Sequence, residues 1–303
     1  MKEEMIQSLK EILSADKIHI NEEMSRHTTF RTGGPASLFL QPGNICELQR
    51  IIDVLKGYEE SFFILGNGSN ILVSDKGYDG AVISLGGFSK ISLRGEEEIY
   101  AEAGAINSAI AAFARDNSLT GFEFAAGIPG TIGGAMIMNA GAYGGEMKMV
   151  TKEVELLDPS GSVVTFSCED MAFDYRTSAV KGKGYIVLSV ILKLTKGDRE
   201  AISETMTELA LKRKEKQPLE YPSAGSTFKR PEGFFAGKLI QDSGLKGYRV
   251  GGACVSEKHS GFVINDDNAT SEDVYRVIQD VKKKVLEDSG VELEPEVILI
   301  GEF

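Results

Sequence analysis

Cysteine is nearly absent. The 303-residue chain has three, Cys46, Cys168 and Cys254, scattered and without a C-x-x-C pair. That supports neither a disulfide framework nor a zinc site, and it reads as buried thiols in a reducing cytosol. Histidine is as scarce. His19, His27 and His259 are too dispersed for a metal cluster, and none has the setting of a Ser-His-Asp triad, so no metal is expected. No apolar run approaches the ~18 residues of a membrane span. The N-terminus, MKEEMIQSLKEIL, has mixed charges and no apolar core, so it is not a secretory signal. A cytoplasmic protein without membrane contact is expected. Positive charge is in deficit: the net charge of -12 argues against a nucleic-acid partner, though not against a local basic pocket for an anion. There is no P-loop, internal repeat or low-complexity tract.

What is present is an ordinary globular composition, 42% hydrophobic and 26% charged, long enough for two or three domains. Met5, Leu9 and Ile12 recur at helical spacing. ASLFLQP reads as a strand, CELQRIIDVLKGY as a helix with Leu48, Ile51, Ile52 and Leu55 on one face, and SFFILGNGSNILV as strand, loop, strand. From about residue 80 the pattern changes to short strands, with a DPSG turn joining KEVELL to SVVTFS, and one helix, INSAIAAFARDN. From about residue 198 helices return. EAISETMTELALKRKEKQP carries apolar residues at Ile202, Met206, Leu209 and Ala210. TSEDVYRVIQDVKKKVLEDSG carries them at Val274, Val277, Ile278, Val281 and Val285, between Thr270 or Ser271 as cap and Gly290 as stop. VELEPEVILIG closes the chain as a strand. Segments 1–79, 80–197 and 198–303 are the expected domains.

Several stretches point to chemistry, each with a plainer alternative. GNGSN (Gly66–Asn70) lets backbone approach a ligand, and its N–H groups with Ser69 and Asn70 suit a diphosphate; a tight turn is the alternative. It is not a dinucleotide fingerprint, since a third glycine is missing and a strand follows. From Gly121 to Gly145, eight of 25 residues are glycine, and no charge lies between Glu123 and Glu146. Such a tract suits a broad planar cofactor, or else tight backbone packing. FDYRTS offers Arg176 to an anion or to solvent. RKEKQP (Arg213–Pro218) is a solvated helix end or a phosphate-binding edge. In SAGSTFKRP, Ser226 is a turn serine or a proton donor. In LEPEV, Glu294 and Glu296 share a strand face, and Glu296 is either partly buried or an exposed edge carboxylate.

Taken in order, HTTFRTGGPA, ILGNGSNILVSDKGYDGAVI, GFEFAAGIPGTIGGAMIMNAGAYGGE, FDYRTS, SAGSTFKRP, AGKLIQDSGLKGYRVGGACVSEKHSGFVIN and LEPEV closely resemble the bacterial UDP-N-acetylenolpyruvoylglucosamine reductases, over about residues 20–300. The short passage after YRTS resembles the shorter form of that family. The resemblance implies an α+β protein: a two-part FAD-binding region of the vanillyl-alcohol-oxidase (PCMH) type and a C-terminal α/β substrate-binding domain. It implies noncovalent FAD, NADPH as co-substrate, and reduction of UDP-N-acetylglucosamine enolpyruvate to UDP-N-acetylmuramate for peptidoglycan. Arg176, Ser226 and Glu296 match the family's catalytic trio, Ser226 as the acid that protonates carbon. Gly66, Asn67, Gly68, Ser69, Asn70, Ala126, Gly127, Ile128, Pro129, Gly130, Gly133 and Gly134 match its FAD surroundings. Asn139, Gly141 and Tyr143 fall in the same wall, Tyr143 on the substrate side. Tyr175, Lys216, Lys229 and His259 fall where the family meets substrate.

This chain departs from the family at Arg230, where asparagine is common, and at Cys254, where glutamine or another residue is often found. Two rivals stand beside this reading. A related FAD oxidase of alcohols or sugars would hold flavin through a histidine after R-x-G-G, where this chain has Pro35. A nucleotide-sugar-binding module without catalysis would not need Arg176, Ser226 and Glu296.

Overall fold

The structure, a computed structural model, describes residues 3–303. Contacts divide the chain into two compact units. The first holds residues up to 19, 39–67 and 81–213; the second holds 20–38, 68–80 and 214–303.

In the first unit, helix α1 (Glu3–Lys10) buries Met5 and Leu9, and α2 (Ile45–Gly57) buries Leu48, Ile51, Ile52 and Leu55, the faces their spacing predicts. Asn44 caps α2, accepting from Glu47 N at 2.9 Å. Strand Phe62–Leu65 pairs in parallel with residues 81–84. The central element is an antiparallel five-stranded sheet in the order Val163–Ser167, Thr151–Leu157, Ile186–Lys193, Glu98–Glu102, Ile91–Leu93. The DPSG turn closes its hairpin, with Leu157 opposite Val163. Ile186–Lys193 is the middle strand, and all but its last residue are buried, as expected for a strand covered on both faces.

Helix α3 (Asn107–Asp116) lies where INSAIAAFARDN places it. A second helix, α4 (Ile132–Ile137), lies in the glycine tract, where irregular loops were expected. Two of its six residues are glycine, a cost of about 1 kcal/mol each against alanine. Packing against the central sheet overrides that: a Cβ on Gly133 would sit 2.9 Å from Ala103 Cβ, and Gly133 N donates to Ala103 O at 2.9 Å. Helix α5 (Arg199–Lys216) departs from its expected apolar face. Ile202 is buried, Met206 and Leu209 are half-buried, Ala210 is exposed, and its other buried residue is Arg213.

The second unit is built on α7 (Ser271–Ser289). Val274, Val277, Ile278, Val281 and Val285 are all buried against a meander of Arg249–Val250, Ala253–Val255 and Val263–Asn265. Each such side chain contributes about 1.5–3 kcal/mol relative to exposure. Thr270 and Asp273 form a reciprocal capping box, Asp75 accepts from Ser271 N and Glu272 N, and Gly290 ends the helix at φ 70°. Helix α6 (Ala236–Asp242) contributes Ile240 to the same core. Phe30 and Leu72 belong to this core too, although they lie over 140 residues before the rest of it. Ile71–Val73 pairs in parallel with Ile298–Ile300, the regular part of the last expected strand.

Candidate active site in two sets of loops

In the first unit the glycine loop and the glycine tract meet. Gly66 and Asn67 are exposed at the end of strand Phe62–Leu65, and a Cβ on Gly66 would sit 2.5 Å from Thr131 Oγ1. The tract's tip is held from below by Asn107, a buried residue the sequence did not single out. Asn107 N donates to Gly130 O at 3.1 Å and its Nδ2 to Ile128 O at 3.5 Å, while its buried Oδ1 has no partner. Above it, Gly127, Pro129 and Gly134 are exposed, and Ala126, Ile128 and Gly130 are half-buried. A Cβ on Gly134 would meet only Thr131 Oγ1, at 3.8 Å. A glycine-rich surface that is open at Gly134 and carries no charge of its own between residues 126 and 134 fits a broad neutral ring system such as a flavin.

Arg213 is the second residue that sequence reading missed. It is 7% exposed, though its neighbours Lys214, Glu215 and Lys216 are exposed as a solvated helix end should be. A Cβ on Gly127 would overlap its Nη1, and its guanidinium carbon lies 5.5 Å from the centre of the Tyr143 ring. Its Nε is buried without a partner, and no carboxylate pairs with it among the described residues. Burial lowers its pKa, partly offset by Tyr143 beside it. The basic composition of RKEKQP was legible, but which of its cations turns inward was not.

Further along the tract, Asn139 is 1% exposed and hydrogen-bonded to protein, Gly141 is half-buried, and Tyr143 is 43% exposed. Tyr175 and Arg176 occupy a turn closed by reciprocal bonds between Asp174 and Thr177, both 3.2 Å. Arg176 Nη2 donates to Gly141 O at 3.3 Å, and its guanidinium carbon lies 5.3 Å from the Tyr175 ring centre. Asn139, Tyr143 and Arg176 all have left-handed backbone, φ 42°, 53° and 54°. Such a conformation costs on the order of 1 kcal/mol per residue and persists where surroundings impose it.

In the second unit, backbone pairing gathers motifs that are far apart in the chain. A Cβ on Gly68, at φ 60°, would overlap the His27 carbonyl, and Thr29 N donates to Gly68 O at 3.1 Å. Asn70 Nδ2 donates to Glu296 O at 3.1 Å, Glu296 N to Thr227 O at 2.8 Å, and Thr227 N to Gly261 O at 2.8 Å. HTTF, GNGSN, LEPEV, SAGST and HSGF are therefore neighbours. Thr227 is fully buried, its hydroxyl accepting from Val263 N at 3.0 Å, which leaves Ser226 exposed beside it. A Cβ on Gly261 would lie 3.4 Å from Ser226 Oγ and 3.1 Å from His259 Nδ1, so both side chains border Gly261.

His259 Nδ1 accepts from Gly261 N at 3.1 Å, which puts the neutral ring's proton on Nε2, and burial lowers its pKa. Glu296 is half-buried, whereas Glu294 is exposed and paired with Lys229. Lys216 is exposed. At the two departures, Arg230 lies over the Phe235 ring at 4.0 Å, and Cys254 is buried, its thiol pKa raised by that burial. Ser226, Glu296, Lys229, His259 and residues 68–70 thus fall in the second unit; Arg176, Tyr175, Tyr143 and the tract fall in the first.

Comparison with known proteins finds two domain families along the chain. Residues 217–300 match the C-terminal domain of UDP-N-acetylenolpyruvoylglucosamine reductase, and residues 36–167 match an FAD binding domain. The UDP-N-acetylenolpyruvoylglucosamine reductase of Caldanaerobacter subterraneus subsp. tengcongensis is 53% identical over 302 residues, covering 100% of both chains. That of Alkaliphilus oremlandii is 50% identical over 296 residues, 97% of each. The crystal structure of the Thermus caldophilus UDP-N-acetylenolpyruvylglucosamine reductase superposes with a TM-score of 0.81 at 34% identity, over 94% of this chain and 100% of that one. The grass-pollen glucose dehydrogenase Phl p 4.0202 shares the fold alone, with a TM-score of 0.52 at 14% identity over 64% of this chain and 44% of that one.

Proposed function

This chain belongs to the UDP-N-acetylenolpyruvoylglucosamine reductase family, and from that membership we propose that it reduces UDP-N-acetylglucosamine enolpyruvate to UDP-N-acetylmuramate with NADPH as reductant. It is an oxidoreductase with an FAD-binding domain on an α+β fold, and no helix among the described residues is long and apolar enough to cross a membrane. The expected bounds 1–79, 80–197 and 198–303 do not coincide with the contact units, in which residues 20–38 and 68–80 go with 214–303 while 198–213 stay with the first unit; the FAD-binding match covers 36–167 and the C-terminal-domain match 217–300. The reaction takes place in the cytoplasm.

FAD, when bound, supplies the hydride it has accepted from NADPH. The chain's own residues do the rest. Gly66 to Asn70 and the uncharged tract 126–134, with Gly141, hold the cofactor. Arg176 receives the substrate carboxylate and stabilises the negative charge that builds on it as hydride reaches the distal vinyl carbon. Glu296, if protonated, donates a hydrogen bond to the same enolate-like group. Ser226 delivers a proton to the carbon bearing the ether oxygen; a serine is a weak acid, but an enolate carbon is a strong base and the two are held close. Tyr143, Tyr175, Lys216, Lys229 and His259 contact the substrate.

The observation that carries this reading is the pairing of Glu296 with Thr227, which sets the exposed Ser226 beside Glu296 in one unit. The test is NADPH consumption with and without the enolpyruvyl substrate, in the parent, Ser226→Ala and Ser226→Cys. Only that substrate should stimulate consumption. Ser226→Ala should leave flavin reduction near normal and slow substrate reduction by at least about 10²-fold, the scale of general acid catalysis, with Ser226→Cys retaining more. Parent-like turnover in Ser226→Ala removes Ser226 from the mechanism.

A further inference from the structure

The fold holds the Arg176 turn to the glycine tract at three points. Ser178 Oγ donates to Ile137 O at 2.9 Å, Arg176 Nη2 donates to Gly141 O at 3.3 Å, and Asn139 Nδ2 donates to Asp174 O at 3.2 Å. Asn139 does more than close the turn. The same Nδ2 donates to Glu146 Oε2 at 3.0 Å, and Oδ1 accepts from Lys148 N at 3.0 Å. A main-chain N–H on one side and two acceptors on the other fix which way the amide faces. The site thus calls for a short, neutral side chain that donates twice and accepts once, which among the twenty residues is asparagine. Its backbone is left-handed, as is that of Arg176 two residues beyond the Asp174 carbonyl it binds, so the clamp ties a strained residue of the tract to the turn that carries another.

We infer that Asn139 is a positioning residue for Arg176, acting through its hydrogen bond to the Asp174 carbonyl rather than by touching cofactor. This rests on the role proposed for Arg176 and deepens it. A guanidinium on a turn stabilises a developing charge only if the turn stays where the charge appears, and a displacement of about 1 Å can cost about 10²-fold.

The experiment compares Asn139→Ala, Asn139→Asp, Arg176→Ala and the Asn139→Ala/Arg176→Ala double variant as flavin-loaded holoenzymes. Flavin content and thermal unfolding are checked first. Flavin reduction by NADPH and oxidation by the enolpyruvyl substrate are then measured separately. Asn139→Ala should slow the substrate half-reaction about 10- to 100-fold and leave reduction by NADPH within about twofold of the parent. In the Arg176→Ala background it should cost almost nothing more, because residues acting as one unit are not additive.

Asn139→Asp keeps the shape and supplies the second readout. Above its pKa the introduced carboxylate confronts Glu146 and the Asp174 carbonyl; once protonated it loses that charge and regains one of the amide's two donations. The groups facing it are Glu146, Lys148, Asp174 and Arg176. Its substrate half-reaction should therefore recover as pH falls, where the parent's and that of Asn139→Ala do not. Equal loss in both half-reactions, multiplying effects of Asn139→Ala and Arg176→Ala, or a pH-independent defect in Asn139→Asp each overturns the inference while leaving Arg176's role intact. Parent-like substrate reduction in Arg176→Ala overturns that role and the inference with it.

Discussion

Arg213→Met should make the flavin-free protein more stable. Arg213 is 7% exposed, with no carboxylate paired to it among the described residues and a buried, unpartnered Nε. Desolvating one ion costs several kcal/mol. Against that, a desolvated cation–π contact such as the one with Tyr143 is worth about 2 kcal/mol, and one charged hydrogen bond about 1.5 kcal/mol. The lowered pKa has the same sign: desolvation is its largest cause, and Tyr143 offsets only part of it. An arginine stays protonated throughout the working pH range, so the cost is always present. Methionine keeps most of the buried stem and removes the charge, for a gain of about 1–2 kcal/mol. At about 2–4 °C per kcal/mol for a unit of this size, the melting temperature rises by about 2–8 °C. Calorimetry on flavin-free parent and variant measures it. A variant that melts at or below the parent shows that the cation is compensated within the fold and refutes the reasoning. The gain should come with loss of turnover, as where a site keeps a destabilising group for function.

Two further outcomes are expected. Gly68→Ala forces a side chain into a left-handed conformation, about 1–2 kcal/mol, and against the His27 carbonyl, about 1–3 kcal/mol more; urea unfolding within about 0.5 kcal/mol of the parent would show that this loop yields. His259 has its pKa lowered by burial, so the unfolded state binds more protons and stability falls as pH drops below the unfolded value of about 6.5, by at most about 1.4 kcal/mol per pH unit. His259→Gln should flatten that slope between pH 5 and 7, and identical slopes in parent and variant would remove His259 as its source.

The local elements were legible because their signals are local. The α7 spacing, its Thr270 cap and its Gly290 stop all lie within one stretch of chain, and all three occur in the structure. The same holds for α2 and for the DPSG hairpin. Helix α4 was not legible, because glycine opposes a helix locally and only the approach of Gly133 to Ala103 makes one favourable. The apolar face of α5 was overstated for the opposite reason: its spacing is helical, but little packs on Met206, Leu209 and Ala210.

By itself, then, the sequence determined the residue chemistry: an uncharged glycine tract, one arginine in FDYRTS, a serine after Ala-Gly, a glutamate before VILI, and the helices that frame them. Tertiary structure decided which of these are neighbours. Phe30 and Leu72 join the α7 core, residues 70, 296, 227 and 261 become successive hydrogen-bond partners, and Arg213 alone of its basic cluster turns inward. Periodicity and capping are properties of a few consecutive residues. Pairing and burial depend on segments up to 235 residues apart, such as Phe30 and Asn265, and nothing in either segment alone specifies its partner.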